Sequence, residues 1–190
     1  GITQRTSFNS LKLRAETVEI DHNYFVTGEM LIDATNLVLN APVTLTGGYG
    51  DFGASNAPSV LSITNRDTFD ISRNAVFGTD RSFHYKNFVN EGTIECSSLI
   101  VRSDFVHNKG DLDVANAMRI EAGVAKFENA STTADGDMIL QAQDLKFHNS
   151  LSQTLGSLFI NATNSLSDSG GQSGSSLSCN RGFHMLRKPP

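Results

Sequence analysis

Apolar and polar residues alternate with a period of two along most of this chain. The alternation is clearest at Met138, Leu140 and Ala142, which are followed after a two-residue bend by Leu145 and Phe147. A period of two is typical of strands with one buried face, whereas helices repeat apolar positions every 3.6 residues. Each such stretch therefore predicts two short strands that meet at a corner, with the buried side changing phase at the bend.

The same frame recurs at intervals of about 20 residues. Full copies span 11–20, 30–39 and 138–147, and partial copies span 94–101 and 158–162. Repeats of 20 to 50 residues are typical of solenoids, whose units bury a core only by stacking on one another. The sequence therefore predicts an all-β chain, folded as a parallel β-helix with coils of about 20 residues.

Phenylalanines with a nearby asparagine mark the regular centre of the chain. The pairs are Phe88 with Asn90, Phe105 with Asn108, Phe127 with Asn129, and Phe147 with Asn149. Because equivalent residues of neighbouring coils stack about 4.8 Å apart, we expect the four phenylalanines to form one aromatic column. We expect the asparagines to adopt left-handed backbone at a corner and to bond to one another, with Asn108 displaced by the extra residue before it.

One position of the frame is held by small residues: Ala15, Ala34, Ala142, Ala162 and Cys96. We expect all five side chains to point inward, which makes Cys96 a buried and unreactive thiol. Two cysteines are too few for a disulfide framework or for a closed metal site with four ligands. Cys179 lies in a stretch rich in Ser and Gly, and we expect it to be exposed and open to pairing with another chain.

Two breaks in the pattern divide the chain. Glycines and a proline interrupt the alternation near 47–59 and predict an inserted loop. After Asp168 the composition changes to Ser and Gly, which is typical of flexible linkers. We therefore predict a β-helix over 1–168 and a linker with a C-terminal tail over 169–190. Since the chain begins at Gly1 without a signal peptide, we expect it to be a piece of a longer parent chain.

Charge and motif content argue against several classes of partner. The net charge is −5 and the 15 basic residues are scattered, whereas binding to a phosphate backbone needs clustered Lys and Arg. No apolar run is long enough to predict membrane insertion. The glycines of 47–53 lack the Lys and Ser or Thr of a phosphate loop, and the five histidines are isolated in sequence. We therefore predict no nucleic acid, no cofactor and no metal.

Acidic residues provide the one candidate for catalysis. Glu95 and Asp113 fall at matching outward positions of consecutive coils, with Asp111 two residues away on the same face. Carboxylates about 5 Å apart serve retaining glycoside hydrolysis. A solvated strand face is the better explanation, since the column is expected to continue with Gln141 and Asn161 and the chain has no Trp and three Tyr. We predict no catalytic residues, and keep these three carboxylates for the alternative of a β-helical carbohydrate-active enzyme or phage tailspike segment.

The copies at 136–142 and 156–162, followed by 164–170, resemble repeats of the filamentous-haemagglutinin-type large exoproteins and adhesins of bacteria. The resemblance implies a right-handed parallel β-helix and a non-enzymatic, adhesin-like or fibre-forming stalk that is secreted or held at the cell surface. It carries no catalytic residues. A host or cell-surface glycan or protein would be the partner of such a stalk.

The open ends of a β-helix predict a further partner. Each end presents a ring of unpaired backbone N–H and C=O groups, which templates pairing with another chain. We therefore expect end-to-end association with a second copy or with the rest of the parent chain.

Overall fold

The structure, a computed structural model, describes residues 5–28, 30–46, 50–51, 62–77, 85–169, 176–179 and 182–187. These residues form strands that all pair in parallel, in one sheet that coils on itself with equivalent positions about 20 residues apart. No helix occurs in these ranges, and so none there could cross a membrane. The chain is a parallel β-solenoid, which confirms the predicted fold class.

The strands are β1 Arg5–Phe8, β2 Leu11–Ile20, β3 Asn23–Val26, β4 Met30–Leu39, β5 Val43–Leu45, β6 Gly50–Asp51, β7 Ser62–Asn65, β8 Thr68–Phe77, β9 Tyr85–Asn90, β10 Thr93–Asn108, β11 Asp111–Val114, β12 Met118–Glu128, β13 Ser131–Ala134, β14 Met138–His148, β15 Leu151–Thr154, β16 Ser157–Asp168, β17 Ser176–Cys179 and β18 Gly182–Arg187.

Three faces of parallel strands surround the core. The first face stacks β1, β3, β5, β11, β13, β15 and β17 with the opening residues of β8 and β10. The second face stacks the opening halves of β2, β4, β12, β14 and β16 with β6, β18 and the later residues of β8 and β10. The third face stacks the closing halves of the long strands with β7, β9 and the end of β10.

Like residues lie above like residues inside the solenoid. On the second face one buried column runs through Leu99, Met118, Met138 and Leu158, each at most 1% exposed. The alternating pattern places every second side chain in such a column, because successive residues of a strand point to opposite faces of the sheet. The core is therefore continuous along the axis, and each coil is stabilised by its two neighbours.

The predicted inward column of alanines is confirmed at three positions. Ala34, Ala142 and Ala162 are each at most 7% exposed, and Ala142 and Ala162 are aligned on adjacent strands. Ala15 is aligned with Ala34 but is exposed, so the expectation that it is covered is wrong. The reason is its position in β2, which pairs with β4 alone among the described strands.

Cys96 is buried as predicted, but it lies in a different column. It belongs to the first face, where it is aligned with Ile71 and Val114 and not with the alanines of the second face. Burial, together with the nearby charge of Asp113, raises the pKa of the Cys96 thiol to about 12. Little thiolate is then present at neutral pH, which favours an unreactive side chain. The backbone of Cys179 pairs with Thr154, while its side chain lies outside the described part of the structure.

The prediction of one column with four phenylalanines is wrong. Phe127 and Phe147 do stack, with ring centroids 5.2 Å apart and planes 19° from parallel. Phe88 is buried in another column, aligned with Val106 of the next coil. Phe105 points outward and is half-buried. Two of the four rings therefore form the aromatic stack.

Buried asparagines form a ladder at the inner corner between the third and first faces. Asn65 Nδ2 donates to Asn90 Oδ1 at 2.8 Å, and Asn90 Nδ2 donates to Asn108 Oδ1 at the same distance. Asn108 Nδ2 extends the ladder by donating to Thr132 Oγ1 at 3.2 Å. The ladder also hydrogen-bonds to the backbone, because Asn90 Nδ2 donates to the carbonyl oxygen of Asp111 at 3.1 Å.

The asparagines at the corner differ partly from those predicted. Asn129 and Asn149 have φ values of 51° and 47°, which confirms left-handed backbone at these two positions. Asn90 instead lies within β9 and points into the core. The prediction that Asn108 is displaced from the ladder is wrong, because it accepts from Asn90 inside the core.

Glycine allows the coils to approach at the corner between the first and second faces. A Cβ atom added to Gly156 would lie 2.5 Å from the carbonyl oxygen of Gly136, its counterpart one coil earlier. Backbone therefore packs directly on backbone here, which no other residue permits without a shift.

The coils continue past Asp168, where the sequence predicted a linker and tail over 169–190. β17 and β18 pair in parallel with β15 and β16. Pairing of this kind uses backbone groups, so a stretch rich in Ser and Gly can take part in it. Within the loop predicted near 47–59, Gly50–Asp51 forms β6, and residues 47–49 and 52–59 lie outside the described residues.

Candidate functional site

Two of the three carboxylates singled out by sequence lie side by side. Glu95 of β10 and Asp113 of β11 are aligned on adjacent strands of the first face, and both are exposed. Asp70 of β8 is aligned with Glu95 on its other side, so the acidic column has a third member that sequence reasoning missed. Asp111 also points outward from β11, in register with Thr93. The structure thus places all of these carboxylates on one lateral face.

The acidic column ends differently from its prediction. Gln141 and Asn161 lie on the second face, aligned with each other and with Glu121, so the expectation that they continue the column is wrong. On the first face the next aligned residue is Thr133, whose hydroxyl donates to Asp113 Oδ1 at 2.9 Å.

The spacing of the acidic column is compatible with glycoside hydrolysis, but its described residues do not form a metal site. Parallel strands lie about 4.8 Å apart, a spacing compatible with a pair of carboxylates that act on one glycosidic bond. Within the described ranges, however, no three His, Cys, Asp or Glu side chains are grouped so as to hold a metal ion. The carboxylates lie on the first face, whereas a cleft lined mainly by polar side chains lies on the second.

That second-face cleft was not predicted from the sequence. It has a volume of about 350 Å³ and is lined by Arg119, Glu121, Ala122, Gln141, Ala142, Gln143 and Thr163. These residues come from β12, β14 and β16, so the cleft spans three successive coils. Clefts of this size are the places where proteins most often bind small ligands. The cleft is therefore the better candidate for a binding site.

An ion-pair network fixes one wall of the cleft. Arg102 Nε donates to Glu121 Oε2 at 3.1 Å, and Arg119 Nε donates to the other carboxylate oxygen of Glu121. Partial burial by itself would raise the pKa of Glu121, but the hydrogen bonds and charges of Arg119 and Arg102 outweigh it and lower the pKa below its ordinary value. Glu121 is thus held as a carboxylate between two guanidinium groups.

A second polar cluster lies on the third face. His107 Nε2 is 3.0 Å from Glu128 Oε2, and this hydrogen bond lowers the pKa of Glu128. The edge of the His107 ring contacts Phe105, with centroids 5.9 Å apart, and Lys126 Nζ lies 5.9 Å from the centroid of the same Phe105 ring. His148 is aligned with Glu128 one coil further on, so the two histidines are separated by an intervening coil. The cluster ties neighbouring coils together through the contact between His107 and Glu128.

Comparison of the chain with protein-family models, with curated proteins and with solved structures found no match.

Proposed function

We propose that this chain is a non-enzymatic structural segment, a β-solenoid stalk that assembles end to end. The observation that supports this proposal is the first described coil. There β1 pairs with β3 alone and β2 pairs with β4 alone among the described strands, and the end of the coil leaves Ala15 exposed. Within the described residues, this coil has one side without a pairing partner.

An open coil end favours addition of another coil. Its backbone N–H and C=O groups can pair with a further parallel strand, and its apolar residues can be covered by a matching layer. A second copy stacked head to tail would leave the same open end again, so the assembly would grow into a fibre and not close as a dimer. The rest of a longer parent chain would satisfy the same edge.

The likeness to bacterial haemagglutinin-type exoproteins supports the finer part of the proposal. A stalk of that kind would be secreted or held at the cell surface, and its partner would be a host or cell-surface glycan or protein. This part of the proposal depends on the resemblance of the repeats at 136–142 and 156–162.

Light scattering and electron microscopy across a concentration series test the assembly. We expect the mass of the full chain to rise with concentration and linear particles to appear. The variant Ala15→Glu places a charge on the exposed end and should remain monomeric, whereas Lys12→Glu, exposed on the same strand but pointing outward, should assemble normally. A compact monomer at every concentration of the unmodified chain would refute end-to-end assembly.

The acidic column favours one alternative, a β-helical carbohydrate-active enzyme or a tailspike segment. Asp70, Glu95 and Asp113 are aligned on consecutive strands, which is the arrangement such chemistry would need. The test is cleavage of a panel of acidic polysaccharides by the full chain and by Asp113→Asn. Cleavage that disappears in Asp113→Asn would replace the structural proposal with the enzymatic one.

A further inference from the structure

We propose that the second-face cleft binds a carboxylated saccharide, with Arg119 as the residue that receives the carboxylate. This inference makes the glycan partner proposed above more specific, but it does not depend on end-to-end assembly, because the cleft lies on the side of the solenoid and not at its end.

The floor of the cleft is formed at the bend between the second and third faces. Ala122 and Ala142 occupy equivalent positions there on adjacent strands. Ala142 points inward and is only 3% exposed, so the floor consists largely of backbone, and the longer side chains around it stand above it. At the same bend a Cβ atom on Gly123 would lie 2.7 Å from the carbonyl oxygen of Asp104, which shows how closely the coils pack beneath the cleft. The result is a recess with a backbone floor between longer polar side chains.

The walls of the cleft carry side chains that both donate and accept hydrogen bonds. Gln141 and Gln143 are exposed on β14 and each bring an amide, and Thr163 brings a hydroxyl from β16. Amides and hydroxyls of this kind match the hydroxyl groups of a sugar, which also act in both ways. A hydroxyl-rich ligand therefore fits the recess better than a wholly apolar one.

The free hydrogen-bond donors of Arg119 select the kind of saccharide. Both Arg102 and Arg119 pair with the Glu121 carboxylate, and each does so through its Nε atom. Arg119 contacts Glu121 through Nε, its side chain is 43% exposed, and its two terminal nitrogens have no partner among the described residues.

A guanidinium fork with free terminal nitrogens is the preferred receptor for a carboxylate, which it binds through two parallel hydrogen bonds. Glu121 keeps its bond from Arg102 while Arg119 binds the ligand. The substrate class is therefore a saccharide with a carboxylate, such as a uronate within a polysaccharide or a terminal sialate.

Isothermal titration calorimetry of the full chain tests the proposal with three probes. These are a tetrasaccharide of alternating glucuronate and N-acetylglucosamine, its carboxyl-reduced counterpart, and sialyllactose. We expect saturable binding of one or both acidic probes, and the pair distinguishes an internal uronate from a terminal sialate. Binding of the reduced tetrasaccharide should be about tenfold weaker or more than that of its acidic form, because hydrogen bonds to charged groups are the strong ones.

Matched variants assign the binding to the cleft. Arg119→Gln should weaken binding about tenfold or more. Arg66→Gln is the control, because it also removes a surface arginine paired with a glutamate, here Glu91 at 3.5 Å, away from the cleft. Gln143→Ala, at an exposed position that is not expected to affect folding, should also weaken binding. The proposal is overturned if neither acidic probe binds, if the reduced probe binds as tightly as the acidic one, or if Arg119→Gln behaves like Arg66→Gln.

Discussion

The corner between the third and first faces is built in two different ways along the axis. In the middle coils its inner column holds Asn65, Asn90 and Asn108, joined by side-chain hydrogen bonds. In the following coils the same column holds Phe127 and Phe147, whose rings stack. The register leaves no doubt that the positions are equivalent, because Asn108 is aligned directly with Phe127.

The two kinds of corner differ by one residue. Between Asn108 and the aligned start of the next first-face strand, Asp111, lie two residues, whereas between Phe127 and Ser131 lie three. The extra residue follows an asparagine with left-handed backbone and turns inward, as Ala130 is only 5% exposed.

A short corner leaves backbone carbonyls facing the core, and an asparagine amide bonds to them, as Asn90 does to Asp111. In the longer corner the inward residue fills that space, and the column takes an apolar ring. Corner length thus decides whether a buried amide or a buried aromatic ring is the stable choice.

The largest effect is expected from emptying the aromatic column. Phe127→Ala removes a ring that is fully buried and stacked, and should lower the free energy of unfolding by about 3–5 kcal/mol in chemical denaturation. Phe105→Ala is the matched control, because this ring lies outward with an edge contact to His107. It should lose about 0.5–1.5 kcal/mol. Equal losses in the two variants would mean that both rings contribute to one column, contrary to the register.

A smaller effect is expected from breaking the amide ladder. Asn90→Leu leaves the Oδ1 of Asn108 buried without its donor, which should cost about 1–3 kcal/mol. Asn87→Leu, on the outer side of the same strand, should change stability by about 0.5 kcal/mol or less. Replacing Asn65, Asn90 and Asn108 together by Leu should cost less than the sum of the three single changes, because no amide is then left unpaired. Strict additivity in denaturation measurements would contradict the ladder.

The smallest effect is expected at the left-handed asparagine that precedes the extra corner residue. Asn129→Ala removes the short polar side chain that makes left-handed backbone tolerable and should cost about 1 kcal/mol, whereas glycine adopts this conformation freely, so Asn129→Gly should cost nothing. Asn116→Ala, in an exposed corner without positive φ, serves as the control and should leave the melting temperature unchanged. If Asn129→Gly is as destabilising as Asn129→Ala, backbone conformation is not what selects asparagine there.

Alternation of residue types was enough to predict the solenoid, because it directly determines which side chains are buried. Met138, Leu140, Leu145 and Phe147 are all at most 1% exposed, as their spacing predicts. Alignment between coils was harder to predict, because it depends on the number of residues in each corner. Asn90 and Asn129 both follow a phenylalanine by two residues, yet one is a core amide and the other a corner residue.

The candidate sites were also hard to predict wherever they depend on the alignment between coils. Glu95 and Asp113 were paired correctly because a coil of 18 residues joins them, close to the average period. Asp70 was missed because 25 residues separate it from Glu95. The second-face cleft was missed because it depends on the lengths of side chains from three coils, so that Arg119, Gln143 and Thr163 must be compared in three dimensions.

The parallel register also has a consequence for how fast the chain folds. Strands that pair are about 20 residues apart in a chain of 190, a ratio of about 0.1, whereas sandwiches and barrels dominated by distant pairings have relative contact orders of about 0.16–0.22. Closing each coil requires only a loop of about 20 residues. A folding nucleus can therefore form in the regular coils and grow by one coil at a time in both directions. The chain should therefore fold faster than an all-β domain of equal size whose first and last strands must meet.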